Sequence, residues 1–277
     1  MSTAGTLAPT TVLFLPASNP RAIEKARGLD ADMVILDLED AVKMEDKEAA
    51  RVAAVEAAGS FGDRPVAIRV NAEDSDHWKA DLKAAKQSAA THVVVPKVES
   101  AETLITAGWR SKRPLLAMIE TPIGVMNLGP IASVGLAGWG TRLAGLIAGT
   151  NDLAATLRLP PGAGRAPLGT ALQLIVLAAR ARELWALDGV FNALDDAVGL
   201  GQECRDGRAM GFDGKTLIHP NQIAIARAAF APTETEIAAA RALVAAATGG
   251  AERHSGAMIE TMHVDRARAL LERAGAA

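Results

Sequence analysis

Leu115-Leu116-Ala117-Met118-Ile119-Glu120-Thr121-Pro122 is the stretch that decides the fold. Five apolar residues run directly into a carboxylate, then a Thr and a Pro. A run this short and this apolar is most easily a strand buried on both faces. Pro122 cannot continue a central strand, so the strand is expected to stop at Glu120 or Thr121. A carboxylate then stands at the carboxyl end of a buried strand, where α/β folds place their ligands. Leu143-Ala144-Gly145-Leu146-Ile147-Ala148-Gly149-Thr150-Asn151-Asp152 repeats the design, with Asp152 ending the apolar run. Glu120 and Asp152, at the ends of consecutive strands, form a natural oxygen-ligand pair for Mg²⁺.

Upstream, Val12 to Pro16 reads as a first short strand. Ser18-Asn19-Pro20-Arg21 then opens a helix, with Ser or Asn as N-cap and Pro in the first turn. Its free amides, with Arg21 and Lys25, suit a phosphate; an ordinary capped helix with solvated basic residues explains the same pattern. Met33 to Asp40 is a second strand ending in Asp37, Glu39 and Asp40. Such acids need water, a cation or hydrogen-bond donors. A helix is expected from about Glu45 to Ala58. In the third strand, Pro65 to Asn71, alternation puts Arg69 on the opposite face from Ile68 and Val70. A buried Arg needs an anion, either a structural acid or a substrate carboxylate. The fourth strand, Thr91 to Glu99, carries Lys97, readable as a Schiff-base lysine or as the partner of Glu39 or Glu99.

Downstream of Glu120, Gly124 to Gly140 reads as a helix with a Gly-rich connection. Pro160 to Gly164 is a loop, and Leu168 to Leu184 has helical periodicity. Trp185 to Leu194 reads as a seventh strand, Val198 to Met210 as a helix, and Gly211 to Pro220 contains an eighth strand. His219 there is either a base or a hydrogen-bonded structural residue. Eight strand signals, each followed by a helical pattern, fit a (β/α)₈ TIM barrel better than an open sheet. No G-x-G-x-x-G follows the first strand, which weighs against a dinucleotide fold. The expected organisation is a barrel over 1–230 and a helical extension over 231–277. In the extension, Glu234 to Ala247 is helical, Gly249-Gly250 breaks the helix, Ser255 to Met262 is a non-helical link, and His263 to Ala274 is a last helix. The tail is either a structural cap or an active-site lid.

Composition narrows the function. With 277 residues, about half hydrophobic, the chain can build a sizeable core. A net charge of −3 without basic blocks, and no Tyr, give no footprint for nucleic acid. Cys204 is the single cysteine, so no internal disulfide forms. No apolar run reaches membrane-spanning length and residues 1–10 lack a signal-peptide pattern, so a cytoplasmic protein with a small-molecule substrate is expected.

Taken in order, several motifs resemble the citrate lyase β-subunit-like branch of the HpcH/HpaI aldolase/citrate lyase family, relatives of malyl-CoA and citramalyl-CoA lyases. They are Leu13 to Pro16, Val34 to Val42, Ile68 to Asn71, Val95 to Glu99, Ile119 to Pro122, Asn151 to Leu153 and Gly211 to Pro220. The resemblance implies Mg²⁺ held by Glu120 and Asp152, chelating a 2-oxo acid such as pyruvate or glyoxylate. It implies that Arg69 stabilises a thioester enolate, and that Ser18, Arg21 and Lys25 meet the phosphates of CoA. The implied reaction is carbon–carbon cleavage of a 3-hydroxy-3-carboxyacyl-CoA to acetyl-CoA and the oxo acid, by a homo-oligomer, in relatives a trimer. Two positions depart from the family pattern. Ala17 stands where Gly is usual, and Met258-Ile259-Glu260 stands where the lid motif of relatives ends in an Asp that acts as acid/base on the thioester, reaching into a neighbouring subunit's site. Glu260 keeps the acid/base chemistry with one more methylene, enough to misplace a carboxylate by about 1 Å and slow a reaction roughly 100-fold. The alternatives are a citrate lyase β-subunit acting on a citryl-carrier protein, a CoA- or oxo-acid-binding homologue with little turnover, and a CoA-independent metal aldolase.

Overall fold

In the computed structural model, residues 7–135, 140–247, 252–254 and 257–275 are described. The Gly-rich connection at 136–139, the Gly249-Gly250 break and Ser255-Gly256 of the lid motif lie outside them. Contacts divide the chain into two compact units, 1–229 and 230–277.

The first unit alternates strand and helix. In chain order it holds β1 (Thr11–Pro16), α1 (Pro20–Arg27), β2 (Met33–Asp37), α2 (Lys47–Ala57), β3 (Val66–Arg69), α3 (Trp78–Gln87), β4 (His92–Val95) and α4 (Ala101–Ser111). It continues with β5 (Leu115–Ile119), α5 (Pro122–Met126), α6 (Leu128–Ala132), β6 (Leu143–Ala148), α7 (Thr150–Thr156), α8 (Gly169–Arg180), β7 (Trp185–Asp188), α9 (Ala197–Met210) and β8 (Gly214–Leu217), followed by α10 (Gln222–Phe230). All eight strands pair in parallel with their sequence neighbours, and β1 pairs with β8 to close the barrel.

The two-residue period of a strand explains where the chemistry sits. Val12, Met33, Ile35, Ala67, Val94, Leu116, Met118, Ile147 and Leu187 fill the barrel interior. Two residues beyond Ile35, Ala67 and Met118, on the same inward face, stand Asp37, Arg69 and Glu120. The register that packs the core therefore carries two acids and one cation to the carboxyl-terminal mouth.

Several boundaries differ from the sequence expectation. The seventh strand stops at Asp188 rather than Leu194, because its ladder with β8 ends at Asp188↔Lys215 and the Asp188 carboxylate turns to accept the Gly189 N–H (2.8 Å). The helix expected after Glu120 is two short helices, separated at Asn127, whose amide donates to Glu99 O (2.8 Å). The helix expected from Glu45 begins as a 3₁₀ turn over Met44–Asp46, and that expected from Leu168 follows another over Ala166–Leu168.

The second unit holds α11 (Glu234–Ala246), β9 (Glu252–His254), β10 (Ala257–Ile259) and α12 (Thr261–Arg273). Thr233 and Glu236 form a capping box that starts α11. Ala240, Ala267 and Leu271 pack together between α11 and α12. The stretch expected as a non-helical link holds β10, which pairs antiparallel with β9 just before it, and α12 already begins inside that stretch at Thr261. Strands of three residues are too short for periodicity to reveal. Among the described residues no helix is long and apolar enough to cross a membrane.

One half-buried titratable group leads to a stability prediction. His92 starts β4 with its ring 5.4 Å from that of Trp185. Burial, and then the charge of Arg142, lower its pKa to about 4. The unfolded chain takes up a proton near the ordinary imidazole value of about 6.5, which the folded chain refuses. The His92 contribution to stability is therefore whole above pH ~6.5 and is lost as pH drops toward ~4, by about 2–3 kcal/mol. His92→Gln is expected to flatten that part of the pH–stability curve in urea titrations; an unchanged slope would refute the assignment.

Candidate active site

The barrel mouth opens into a cavity of about 310 Å³, lined by Phe14, Asp37, Arg69, Met118, Glu120 and Asp152 among others. Arg69 is buried and fixed. Its Nε and Nη2 each donate to Asp37 at 2.6 Å, its Nη1 stands 2.9 Å from Glu39 Oε2, and its guanidinium lies 5.0 Å from the centre of the Phe14 ring. Of the two anions open to it from sequence, the structural acid is present. The two carboxylates do not exhaust its five N–H groups, and it still lines the cavity. Desolvation by burial opposes its charge, but Asp37 and Glu39 outweigh it and raise its pKa. Asp37 also accepts the N–H groups of Glu39 and Ala41, and the Lys47 ammonium donates to the carbonyls of Leu38 and Glu39 (2.7 and 2.6 Å). The acid-rich loop after β2 is thereby held rigid.

Glu120 stands just past β5 and is 1% exposed. Its Oε1 accepts the Lys97 N–H at 2.7 Å, while its Oε2 is buried with no hydrogen-bond partner. Lys97 is in the left-handed region, φ 49°. That conformation costs a non-glycine residue about 1 kcal/mol, and here it aims the amide at the carboxylate. The Lys97 ammonium pairs with Glu39 Oε1 (2.6 Å), so of the partners open from sequence Glu39 is the one it takes. Burial first, then the charges of Glu39 and Asp152, push the Glu120 pKa up to about 8. Room for the side chain comes from Gly149, where a Cβ would lie 2.3 Å from Glu120 Cβ.

Asp152 lies in the first turn of α7 rather than on a strand, because β6 ends at Ala148. It lines the same cavity as Glu120. Five carboxylates (Asp37, Glu39, Asp40, Glu120 and Asp152) gather here around three cations, Arg69, Lys97 and Lys47. A buried carboxylate oxygen without a partner, in an excess of negative charge, fits a divalent cation. Among the described residues no three His, Cys, Asp or Glu side chains converge as a metal cage. A cation would therefore take two protein carboxylates and complete its shell from ligand and water oxygens, as Mg²⁺ commonly does.

Other sequence candidates sit apart. Ser18, Arg21 and Lys25 are exposed at the start of α1, outside the cavity lining. Asn19 rather than Ser18 caps that helix, accepting the Ala22 N–H. His219 is bonded to Asn221 at 2.7 Å and does not line the cavity. Burial pushes the Cys204 thiol up to about 11, which leaves it inert as a nucleophile. Glu260, in the second unit, is exposed before the first turn of α12, and its N–H donates to His263 Nδ1 (3.0 Å). Sequence reasoning missed Gly149, Lys47 and the charge cluster of Arg165, Asp188, Glu203 and Lys215. The apolar context of Lys215 and Asp188 at strand ends was the available signal.

Comparison with known proteins agrees with this geometry. Residues 10–220 match the HpcH/HpaI aldolase/citrate lyase family, and residues 166–276 match the C-C bond lyases of the TIM-barrel fold. A (3S)-malyl-CoA thioesterase of Cereibacter sphaeroides is 42% identical over 276 residues, covering 96% of this chain and 94% of the relative. A citrate lyase subunit beta-like protein of Mycobacterium tuberculosis is 36% identical, covering 96% of this chain and 95% of the relative. The crystal structure of CitE from that organism, in complex with magnesium, acetoacetate and coenzyme A, superposes with a TM-score of 0.83 at 35% identity, over 97% of this chain and 98% of CitE. The chain belongs to the HpcH/HpaI aldolase/citrate lyase family.

Proposed function

We propose that this protein is a Mg²⁺-dependent acyl-CoA lyase that cleaves a thioester of the malyl-CoA or citramalyl-CoA type to acetyl-CoA and glyoxylate or pyruvate. The observation that carries the reading is the partnerless Glu120 oxygen, buried in a cavity it shares with Asp152. When bound, Mg²⁺ supplies a Lewis acid that acidifies the carbinol hydroxyl and polarises the carbonyl that forms.

The chain's own residues do the rest. Glu120 and Asp152 hold the cation. The carbinol hydroxyl loses its proton to solvent water as the bond between the carbinol carbon and the carbon alpha to the thioester breaks, and that bond's electron pair passes to the thioester as an enolate. Arg69, fixed by Asp37 and Glu39, presents a preorganised positive charge that stabilises the developing oxyanion. The enolate carbon then takes a proton, the role we assign to Glu260 acting from a neighbouring subunit's lid, whose carboxylate regains its proton from solvent. Ser18, Arg21 and Lys25, at the start of the helix after β1, would meet the CoA phosphates. We assign a homo-oligomer, trimeric as the resemblance implies, to be read by light scattering.

Hydrolysis of the same thioester is the second reading, favoured by the 42% identity to a malyl-CoA thioesterase. Product analysis separates the two. Malyl-CoA and citramalyl-CoA are incubated with the protein in Mg²⁺ and in EDTA. Metal-dependent acetyl-CoA with glyoxylate or pyruvate supports the lyase. Free CoA with intact malate or citramalate turns the assignment to hydrolysis, and no turnover of either thioester sinks both. Glu260→Gln is expected to lower kcat roughly 100-fold while Glu260→Asp retains activity.

A further inference from the structure

The segment that carries Asp152 is lightly held. Of α7, Leu153 alone is buried, and the chain beyond it passes through the exposed Pro160 to Gly164 loop, where Gly162 and Gly164 both adopt positive φ (80° and 68°). At the far end of that loop Arg165 enters a quartet of charges, of which Asp188 and Lys215 are buried and Arg165 and Glu203 partly exposed. Asp188 Oδ1 and Oδ2 accept from the two Arg165 Nη atoms at 2.6 and 2.9 Å. Lys215 Nζ donates to Asp188 (3.1 Å) and to Glu203 (2.7 Å), and Glu203 stands 3.2 Å from Arg165 Nη1. Asp188 and Lys215 are wholly buried, and none of the four lines the cavity. Strand alternation turns Asp188 and Lys215 outward, since Leu187 faces the core and Thr216 the cavity.

Asp188 also reaches the near end of the arm. It accepts the Gly189 N–H at 2.8 Å, and Gly189 packs against Thr150, where a Cβ would lie 2.5 Å from Thr150 Oγ1 and 2.8 Å from Ala148 O. Beside it, Asn192 Nδ2 donates to Asn151 Oδ1 at 2.7 Å. The end of β7 thus grips Thr150 and Asn151, next to Asp152, while Arg165 grips the arm where it rejoins the barrel.

We propose that Asp188 and Arg165, neutralised by Lys215 and Glu203, are positioning residues that hold Asp152 in register with Glu120 for a divalent cation. This rests on the Mg²⁺ site proposed above. Outer groups that orient metal ligands typically account for 10–100-fold in affinity. A charge quartet with a buried pair is weak as a stabilising device on its own, because desolvation offsets the Coulomb gain. Its position at both ends of the Asp152 arm is what gives it a role.

The test is titration calorimetry with Mg²⁺ alone, and electron paramagnetic resonance with Mn²⁺, on wild type, Asp188→Asn, Arg165→Lys and Gly189→Ala, with Tm followed in parallel. Arg165→Lys keeps the charge and loses the two-point grip. Gly189→Ala touches no charge and displaces Thr150. Both are expected to weaken cation binding at least 10-fold in protein that is still folded. Lower Tm with unchanged affinity in both variants would reduce the quartet to a structural feature and overturn the inference, with the cation site intact. Absence of Mg²⁺ and Mn²⁺ binding by wild type would overturn the cation site itself, and the inference with it.

Discussion

Glu120→Gln is expected to abolish turnover, by a factor of 10³ or more, while making the protein more stable in EDTA. The two effects have one cause. Glu120 is buried, one of its oxygens has no partner, and its neighbours Glu39 and Asp152 are also acids. Burying such a carboxylate disfavours its ionised form, so in the absence of a cation it subtracts from stability at neutral pH. The sign follows from linkage. The folded-state pKa of about 8 exceeds the ordinary carboxylate value, so the folded chain binds more protons between these limits and stability falls as pH rises through them. Glutamine keeps the shape and the acceptor for the Lys97 N–H but removes the charge. The expected gain is of order 1–2 kcal/mol, read as a higher Tm in EDTA, with the pH dependence between about 5 and 8 reduced. Activity falls because a neutral amide is a poor ligand for a hard cation. A variant that is less stable than wild type in EDTA and still turns over substrate would contradict both halves. Stability sacrificed at a working site is the expected pattern where function needs a charge that folding does not.

Gly149→Ala is expected to act on the same carboxylate through space. Gly149 has φ −95°, a value alanine adopts without strain, so the effect is steric. The added Cβ would stand 2.3 Å from Glu120 Cβ and 2.5 Å from Glu120 Oε2. The first of these is fixed to the backbone of the neighbouring strand and cannot swing away. β5 and β6 must part, or Glu120 must leave its place. Overpacking of this kind costs about 1–3 kcal/mol. A shift of roughly 1 Å in a metal ligand is expected to lower kcat/KM about 100-fold or more. Gly129→Ala in α6, where nothing lies within 4 Å of the new Cβ, is the control and should leave both properties near wild type. Equal effects of the two substitutions would show that the Gly149 contact is not the cause.

The barrel was legible because its strands announce themselves locally. Most of the strands are apolar runs of four to six residues, a short-range pattern that survives reading one residue at a time, while β8, with Lys215 and Thr216, departs from it. The inward positions of Asp37, Arg69 and Glu120 follow from the same alternation. Element ends were less legible. The seventh strand ends at Asp188 because of the length of β8 beside it, a fact about a neighbour. Asp152 looked like a strand end and is a helical residue, because the chain turns at Gly149 to make room for Glu120.

By itself, then, the sequence determined the eight-stranded architecture, the face of the third strand that carries Arg69, and the pair of carboxylates at the mouth. These depend on periodicity and on residue type, which act within a few positions along the chain. Tertiary structure alone decided which charges pair. Arg69 with Asp37, Lys97 with Glu39, and both Arg165 and Lys215 with Asp188 join residues distant in sequence. Each pairing follows from strand register and barrel closure. Burial then sets their energies, since a charge left unpaired away from water is too costly to keep unless a ligand satisfies it. That requirement bears on Glu120, whose buried Oε2 finds no hydrogen-bond partner among the described residues.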